Sequence, residues 1–348
     1  MLQIIKYFYI GLFLIFALSA CDKAAQQKSQ GYPYNAVGMT MGTSYNIKAS
    51  HLPDKLTPTE INRQVKEVLD KVNGQMSTYQ KDSELSLFNQ NTSTDWLAVS
   101  PELYMVMKES LKTSQLSNGL FDVTVGPLVN LWGFGPEEMS ANPPDETVIK
   151  EKMNQIGYHR LKLKDGGLFV KKDIPELYVD LSGIAKGYGV DQVAELLERL
   201  GIMDYMVEIG GEIRVKGKNY QGKPWQIAVE KPTTEKRMIE KILAITDTGM
   251  ATSGDYRNYF EVEGVRFSHT IDPRIGRPIN HKLASVTVLS PTSMEADGLA
   301  TAFMVMGPED GYKFAEQNRI PAFFIIKSDK GFDEMMSSAF LERTKVIK

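Results

Sequence analysis

Cysteine is nearly absent: Cys21 is the only one in 348 residues. That excludes a disulfide framework, cysteine catalysis and a zinc site built on thiolates, so stability must come from packing. Basic excess is also absent. Forty Lys and Arg stand against 43 Asp and Glu, a net charge of −3, which argues against a nucleic-acid binder. The apolar run from Tyr7 to Phe16 is broken at Gly11 and falls short of the roughly 20 residues a spanning helix needs. No strand–GxGxxG–helix unit and no GxxxxGK[ST] occurs, so neither a Rossmann domain nor a P-loop is supported. Histidine is scarce too: His51, His159, His269 and His281.

What is present begins with an export signal. Lys6, the apolar run and Leu18-Ser19-Ala20-Cys21 form a signal peptide with a small-residue cleavage site. A Cys directly after Leu-Ser-Ala fits a lipobox, so residues 1–20 are expected to be removed and Cys21 lipidated. Asp22 resembles the signal that retains lipoproteins on the inner membrane, which places the mature chain on the periplasmic side of that membrane. The polar stretch Lys23 to Gln30 reads as a tether, giving residues 21–35 as anchor and linker and 36–348 as one folded domain.

Within that domain helices and strands intermingle. Met41 to Ala49 alternates like a strand. Thr57-Pro58-Thr59-Glu60 is a capping box opening a helix, with Ile61, Val65, Val68, Leu69 and Val72 on one face and Asn73-Gly74 as its end. Ser100-Pro101 opens a second helix that Asn118-Gly119 closes, and a third runs from Ala185 to Leu200. Ser290-Pro291 starts another, ending at Gly307. Tyr178 to Leu181, Tyr205–Ile209, Trp225–Val229, Lys241–Ile245, Ala284–Leu289 and Ala322–Lys327 read as strands. The order predicts an α+β fold with a mixed, largely antiparallel sheet flanked by helices.

Five blocks carry chemistry. Asp297 and Thr301 are four apart on the last helix, so they share a face with Cβ atoms about 5–6 Å apart. A carboxylate and a hydroxyl so placed suit a hard cation such as Mg²⁺; spacing alone equally allows Asp297 to cap a turn beside Gly298. Asp180-Leu181-Ser182-Gly183-Ile184-Ala185-Lys186-Gly187-Tyr188 runs from a strand end into a helix. Its amides and Lys186 suit an anion, and an exposed carbonyl such as that of Gly183 suits a cation, although a plain β–α connection has the same look. Tyr79, in Met76-Ser77-Thr78-Tyr79, and Phe121, in Gly119-Leu120-Phe121-Asp122-Val123-Thr124-Val125-Gly126-Pro127, can stack on a flat heterocycle, while an aromatic is by default a core residue. His269 precedes a Thr-Ile-Asp-Pro turn, where an imidazole can take a proton near neutral pH; a lone His is more often structural.

Taken together, these blocks, with Leu131-Trp132-Gly133-Phe134-Gly135, Ala251-Thr252-Ser253-Gly254-Asp255-Tyr256-Arg257 and Glu295-Ala296-Asp297-Gly298-Leu299-Ala300-Thr301, resemble the ApbE family of flavin transferases from about Met39 to Gly307. The resemblance implies an ApbE-like fold with a central cleft, binding FAD with Mg²⁺. It implies transfer of FMN to a Thr or Ser hydroxyl of a target protein, with release of AMP. Asp297, Thr301 and the Gly183 carbonyl then correspond to metal ligands. Met41, Tyr79, Leu120, Phe121, Asp122, Asp180, Lys186 and Ile271 correspond to FAD contacts, and His269 to the site histidine. Many relatives carry His-His where this chain has Ser268-His269, and they vary at the Lys186 position. By the same resemblance the acceptors are subunits of Nqr- or Rnf-type redox pumps. The alternatives are an FAD pyrophosphatase that uses water, and a flavin-binding lipoprotein with no chemistry.

Overall fold

The computed structural model describes residues 33–136, 143–164, 166–233, 238–255, 259–262 and 265–347. Pro33–Lys348 is one compact unit. The signal peptide, Cys21, Asp22 and most of the tether lie outside the described residues, as do Tyr256 and Arg257.

The centre is an eight-stranded sheet: β1 (Tyr34–Thr40), β2 (Thr43–Ala49), β3 (Tyr205–Ile209), β4 (Glu212–Lys216), β5 (Thr248–Gly254), β6 (Leu283–Ser290), β7 (Ala322–Ser328) and β8 (Gly331–Met336). Spatial order follows chain order, and every neighbouring pair is antiparallel, so the fold is α+β with no parallel pair among its described strands. The expected strand from Met41 to Ala49 is instead the second arm of a hairpin. Met41 (φ 48°) and Gly42 (φ 70°) form its turn, the two positive φ values a tight hairpin requires.

Four helices position the site: α1 (Pro58–Met76), α2 (Pro101–Leu116), α3 (Ala185–Arg199) and α4 (Ser293–Met306). Thr57 and Ser100 cap the first two through their side chains, as the sequence signals require. α1 does not stop at Asn73-Gly74 but runs on to Met76. The Asn73 side chain donates to the Leu69 carbonyl and to Thr40 Oγ1, and so supports the last turn from inside. α4 starts at Ser293, not at Pro291, because Thr292 supplies the cap. Ile61, Val65 and Leu69 of α1 and Val190, Val193 and Leu197 of α3 pack on β1–β3, while α4 packs on β5–β7 through Leu299, Ala300 and Phe303.

Tyr178 to Leu181, expected as a strand, belongs to no sheet. It is extended because the Asn89 side chain takes the place of a partner strand: its amide donates to the Val179 carbonyl and its oxygen accepts from the Val179 N–H, both at 2.8 Å. Asp180 N–H then donates to the Val123 carbonyl at 2.7 Å. This tie brings the Gly119–Gly126 and Asp180–Lys186 segments side by side.

Candidate active site

α3 and α4 cross almost in backbone contact. A Cβ on Gly187 would lie 2.4 Å from the Ser293 carbonyl oxygen, so only glycine lets the helices approach this closely. Asp191 locks the crossing. Its carboxylate accepts from the N–H groups of Ser293 and Met294 at the start of α4, and Arg214 of β4 pairs with it at 3.0 Å. The consequence is that Asp297, on the second turn of α4, faces the first turn of α3. Asp297 Oδ2 accepts from Gly187 N–H at 3.0 Å, so it caps no local turn of its own helix.

One turn further along, Thr301 Oγ1 lies 3.2 Å from the Gly183 carbonyl oxygen, to which it donates. Adjacent ligand oxygens of an octahedral ion with bonds near 2.1 Å are about 3.0 Å apart, so this pair has the spacing of two neighbouring Mg²⁺ ligands. No cluster of three His, Cys, Asp or Glu side chains able to hold a metal occurs among the described residues. The cradle has one carboxylate, one hydroxyl and one carbonyl, a donor set that suits an ion completing its shell with water and phosphate oxygens.

Charge points the same way. Lys186 Nζ sits 3.4 Å from Glu212 Oε1 and 3.8 Å from Asp297 Oδ1. Burial pushes the Lys186 amine down, but the Asp297 and Glu212 carboxylates outweigh it and hold the amine above its usual value. Burial raises Asp297 against the pull of Lys186, and lifts Glu212 to about 7. Glu212 is 3% exposed, and its Oε2 has no hydrogen-bond partner among the described residues. Two buried carboxylates thus share one ammonium, an arrangement that attracts a further cation. A pyrophosphate entering alone would meet this negative excess; with a divalent ion it would not. The residues therefore fit the metal.

These groups form the floor of a cleft of roughly 1240 Å³. Every described candidate lines it: Met41 from the β1–β2 turn, Tyr79, Leu120, Phe121, Asp122, Asp180, Gly183, Lys186, His269, Ile271, Asp297 and Thr301. The roles available to them differ. Asp122 is spent on the fold: Oδ1 accepts from the N–H and hydroxyl of Thr124, and Oδ2 from Tyr158 N–H. Burial raises it nonetheless. Burial also raises Asp180, which accepts from Ser182 N–H at 2.9 Å. Phe121 is a buried wall, packed within 3.3 Å of where a Cβ on Gly183 would sit.

The mouth is aromatic. Tyr79 is 67% exposed, and its hydroxyl donates to the Phe134 carbonyl at 3.4 Å. Burial of its hydroxyl end and the nearby Asp180 carboxylate hold that phenol above its usual value. Phe134 meets His269 edge-on at 6.3 Å between ring centroids. The His269 segment is fixed from below. Trp132 Nε1 donates to the Gly276 carbonyl at 2.9 Å and the indole stacks on Phe267, while Asp272 pins the turn through Arg274. The Leu131–Gly135 block is therefore the support of the histidine and the rim of the cleft.

Sequence reasoning missed Glu212, which lies in none of the blocks that carry the resemblance. It also assigned no site role to Asn73, read only as a helix end, or to Thr252 and Ser253 of the Ala251–Arg257 block, all of which line the cleft.

An antiparallel α+β sheet crossed by two helices, with an all-oxygen cradle at the floor of a cleft of this size, has the architecture of an enzyme. The profile of the ApbE family matches residues 41–324, and the chain belongs to that family. It is 50% identical over 331 residues to the FAD:protein FMN transferase of Vibrio cholerae, covering 95% of this chain and 97% of that one. It is 46% identical to the enzyme of the same name from Haemophilus influenzae, covering 97% of both. The solved flavin transferase ApbE of Vibrio cholerae superposes with a TM-score of 0.83 over 89% of this chain and 98% of that chain.

Proposed function

We propose that this chain is an FAD:protein FMN transferase that uses Mg²⁺, joins FMN to a Thr or Ser hydroxyl of an acceptor protein and releases AMP. The observation that carries the reading is the Asp297–Thr301–Gly183 oxygen cradle set beside Lys186 in the floor of one large cleft. The names carried by relatives of up to 50% identity support the same reaction.

Asp297, Thr301 and the Gly183 carbonyl would hold Mg²⁺, which when bound neutralises charge on the substrate pyrophosphate. Lys186 holds a phosphate oxygen, and Tyr79 at the rim with Phe121 in the wall of the cleft orients the flavin. The acceptor hydroxyl oxygen bonds to the FMN phosphorus. The bond from that phosphorus to the bridging pyrophosphate oxygen breaks, and AMP departs with the electron pair. The hydroxyl proton passes to the His269 imidazole. Holding both reactants in line supplies much of the rate.

The location belongs to the same proposal. Residues 1–20 are removed, Cys21 carries lipid, and the enzyme works on the periplasmic face of the inner membrane. Its acceptors there are Nqr- or Rnf-type pump subunits.

The test is the intact mass of an acceptor domain of such a subunit after incubation with the chain, FAD and Mg²⁺. A gain of one FMN less water, lost with EDTA and with Asp297→Ala, is expected. Free FMN and AMP beside an unmodified acceptor would make water the nucleophile and the chain a pyrophosphatase. Intact FAD with a bound flavin would leave only a binding protein.

A further inference from the structure

A groove of roughly 550 Å³ lies between β1 and α1. β1 is an edge of the central sheet, and no described strand pairs with its outer side. Val37, Met39 and Tyr45 line the groove from the sheet, and Lys66, Leu69 and Asn73 from the helix. Residues of both alternating sets of β1 take part, because Ala36 and Thr40 join Val37 and Met39. The groove therefore follows the strand's edge instead of one face of the sheet.

An edge strand beside a helix is the architecture by which a protein accepts an extended peptide as an added strand: main-chain bonds hold it, and alternate side chains enter the groove. Exposure marks the place. Met39 (75%) and Val37 (69%) are the most exposed large apolar residues described, ahead of Tyr79 at the cleft mouth. Long exposed apolar edges are ordinarily suppressed in a protein that has no use for them. Lys66 and Asp70 pair with each other at 2.5 Å, so the helix wall brings no net charge, and the occupant it suits is uncharged and extended.

The groove also leads to the site. Asn73 lines both cavities, donating to Thr40 Oγ1 between them, and β1 ends at the Met41-Gly42 turn, where Met41 and Gly42 line the cleft. The outer edge of β1 and the cleft therefore adjoin at Asn73 and the Met41-Gly42 turn.

We infer that the β1–α1 groove is the docking site of the acceptor protein, which adds an extended segment to the β1 edge and so presents its Thr or Ser hydroxyl to the cleft. This inference rests on the transferase reading.

The test uses the full-length chain in detergent, FAD, Mg²⁺ and the same acceptor domain, with Val37→Glu/Met39→Glu as the variant. Placing charge against the apolar strand positions is expected to raise the acceptor KM about ten-fold or more while FAD affinity and melting temperature stay as in the unaltered chain. Val37→Thr/Met39→Gln, which keeps the edge neutral, is the milder companion and is expected to raise KM about three-fold. Unchanged acceptor KM in both variants overturns the inference and leaves the transferase reading intact. No mass gain with the unaltered chain removes the transferase reading, and the inference with it. A photoreactive phenylalanine at position 39 is expected to crosslink to the acceptor, and one at Asp333, on the far edge of the sheet, is not. Crosslinks from position 39 only to residues 22–32 of the same chain, or to a second copy, would also overturn it.

Discussion

At the scale of single residues, Thr301 is where the metal reading can be broken most cleanly. Thr301→Val keeps the shape but removes the oxygen that lies 3.2 Å from the Gly183 carbonyl. The Mg²⁺ concentration for half-maximal transfer is expected to rise at least about ten-fold, with most of the rate restored at saturating metal. A titration of rate against Mg²⁺ decides it, and an unshifted curve would remove Thr301 from the ligand set. Lys172 poses a separate question of stability. It is fully buried, and its ammonium donates to the carbonyls of Phe88, Asn89, Asn91 and Pro175, closing the end of the 84–90 helix. Burial pushes this amine down, and the Glu176 carboxylate opposes that shift. Lys172→Met leaves those carbonyls unpaired and is expected to cost about 2–4 kcal/mol in denaturant unfolding, with the cleft chemistry preserved in what remains folded. Of the cleft residues, those embedded in a dense motif were legible in the sequence. Glu212 was not, because its importance lies in standing opposite Lys186 and Asp297, which arrive from two other parts of the chain.

His281 lies between the residue and element scales, because it ties the start of β6 to the end of α4. Nε2 donates to the Met304 carbonyl at 2.8 Å, and Nδ1 accepts from Leu283 N–H at 3.3 Å, so the neutral ring with its proton on Nε2 satisfies both bonds. Burial holds this imidazole below its usual 6.5. The Met304 bond and Asp255 oppose that shift, and Lys327 adds to it. Below pH 6.5 the unfolded chain therefore takes a proton that the folded one refuses. Stability is complete above that pH and falls as acid moves toward the depressed folded value. Melting temperatures between pH 7.5 and 5.5 should fall in the parent and fall less in His281→Gln. Equal slopes would show that another group governs the acid limb. The α3–α4 crossing is the element-scale contact on which the site depends most. Gly187→Ala drives a methyl into the Ser293 backbone and is expected to cost about 3 kcal/mol and to weaken Mg²⁺-dependent transfer together, measured by unfolding and by rate. Helices with caps and periodic faces could be read from the sequence. Tyr178–Leu181 was misassigned because Asn89 supplies a strand's bonds from a side chain, and no local pattern records that. β1, β4, β5 and β8 went unnamed since their Gly-rich or polar stretches acquire a strand's identity only from their neighbours.

At the scale of the whole molecule, Pro33–Lys348 contains the described core clusters and the entire described cleft. A chain starting at Pro33 is expected to fold alone, bind FAD and flavinylate an acceptor in solution at a rate within about two-fold of the full chain, since the described cleft lies wholly within that unit. A comparison of melting curves and acceptor mass gain checks this, and a body unable to fold would show that residues 1–32 are structural. Because spatial order in the sheet repeats chain order, each strand emerging as the chain is made finds its neighbour already laid down. Six of the eight strands precede Asp297 and Thr301. Time is thereby written into the site: a nascent chain can assemble most of its scaffold while chemically silent, and it becomes competent only when α4 arrives, so a prematurely terminated copy cannot spend FAD.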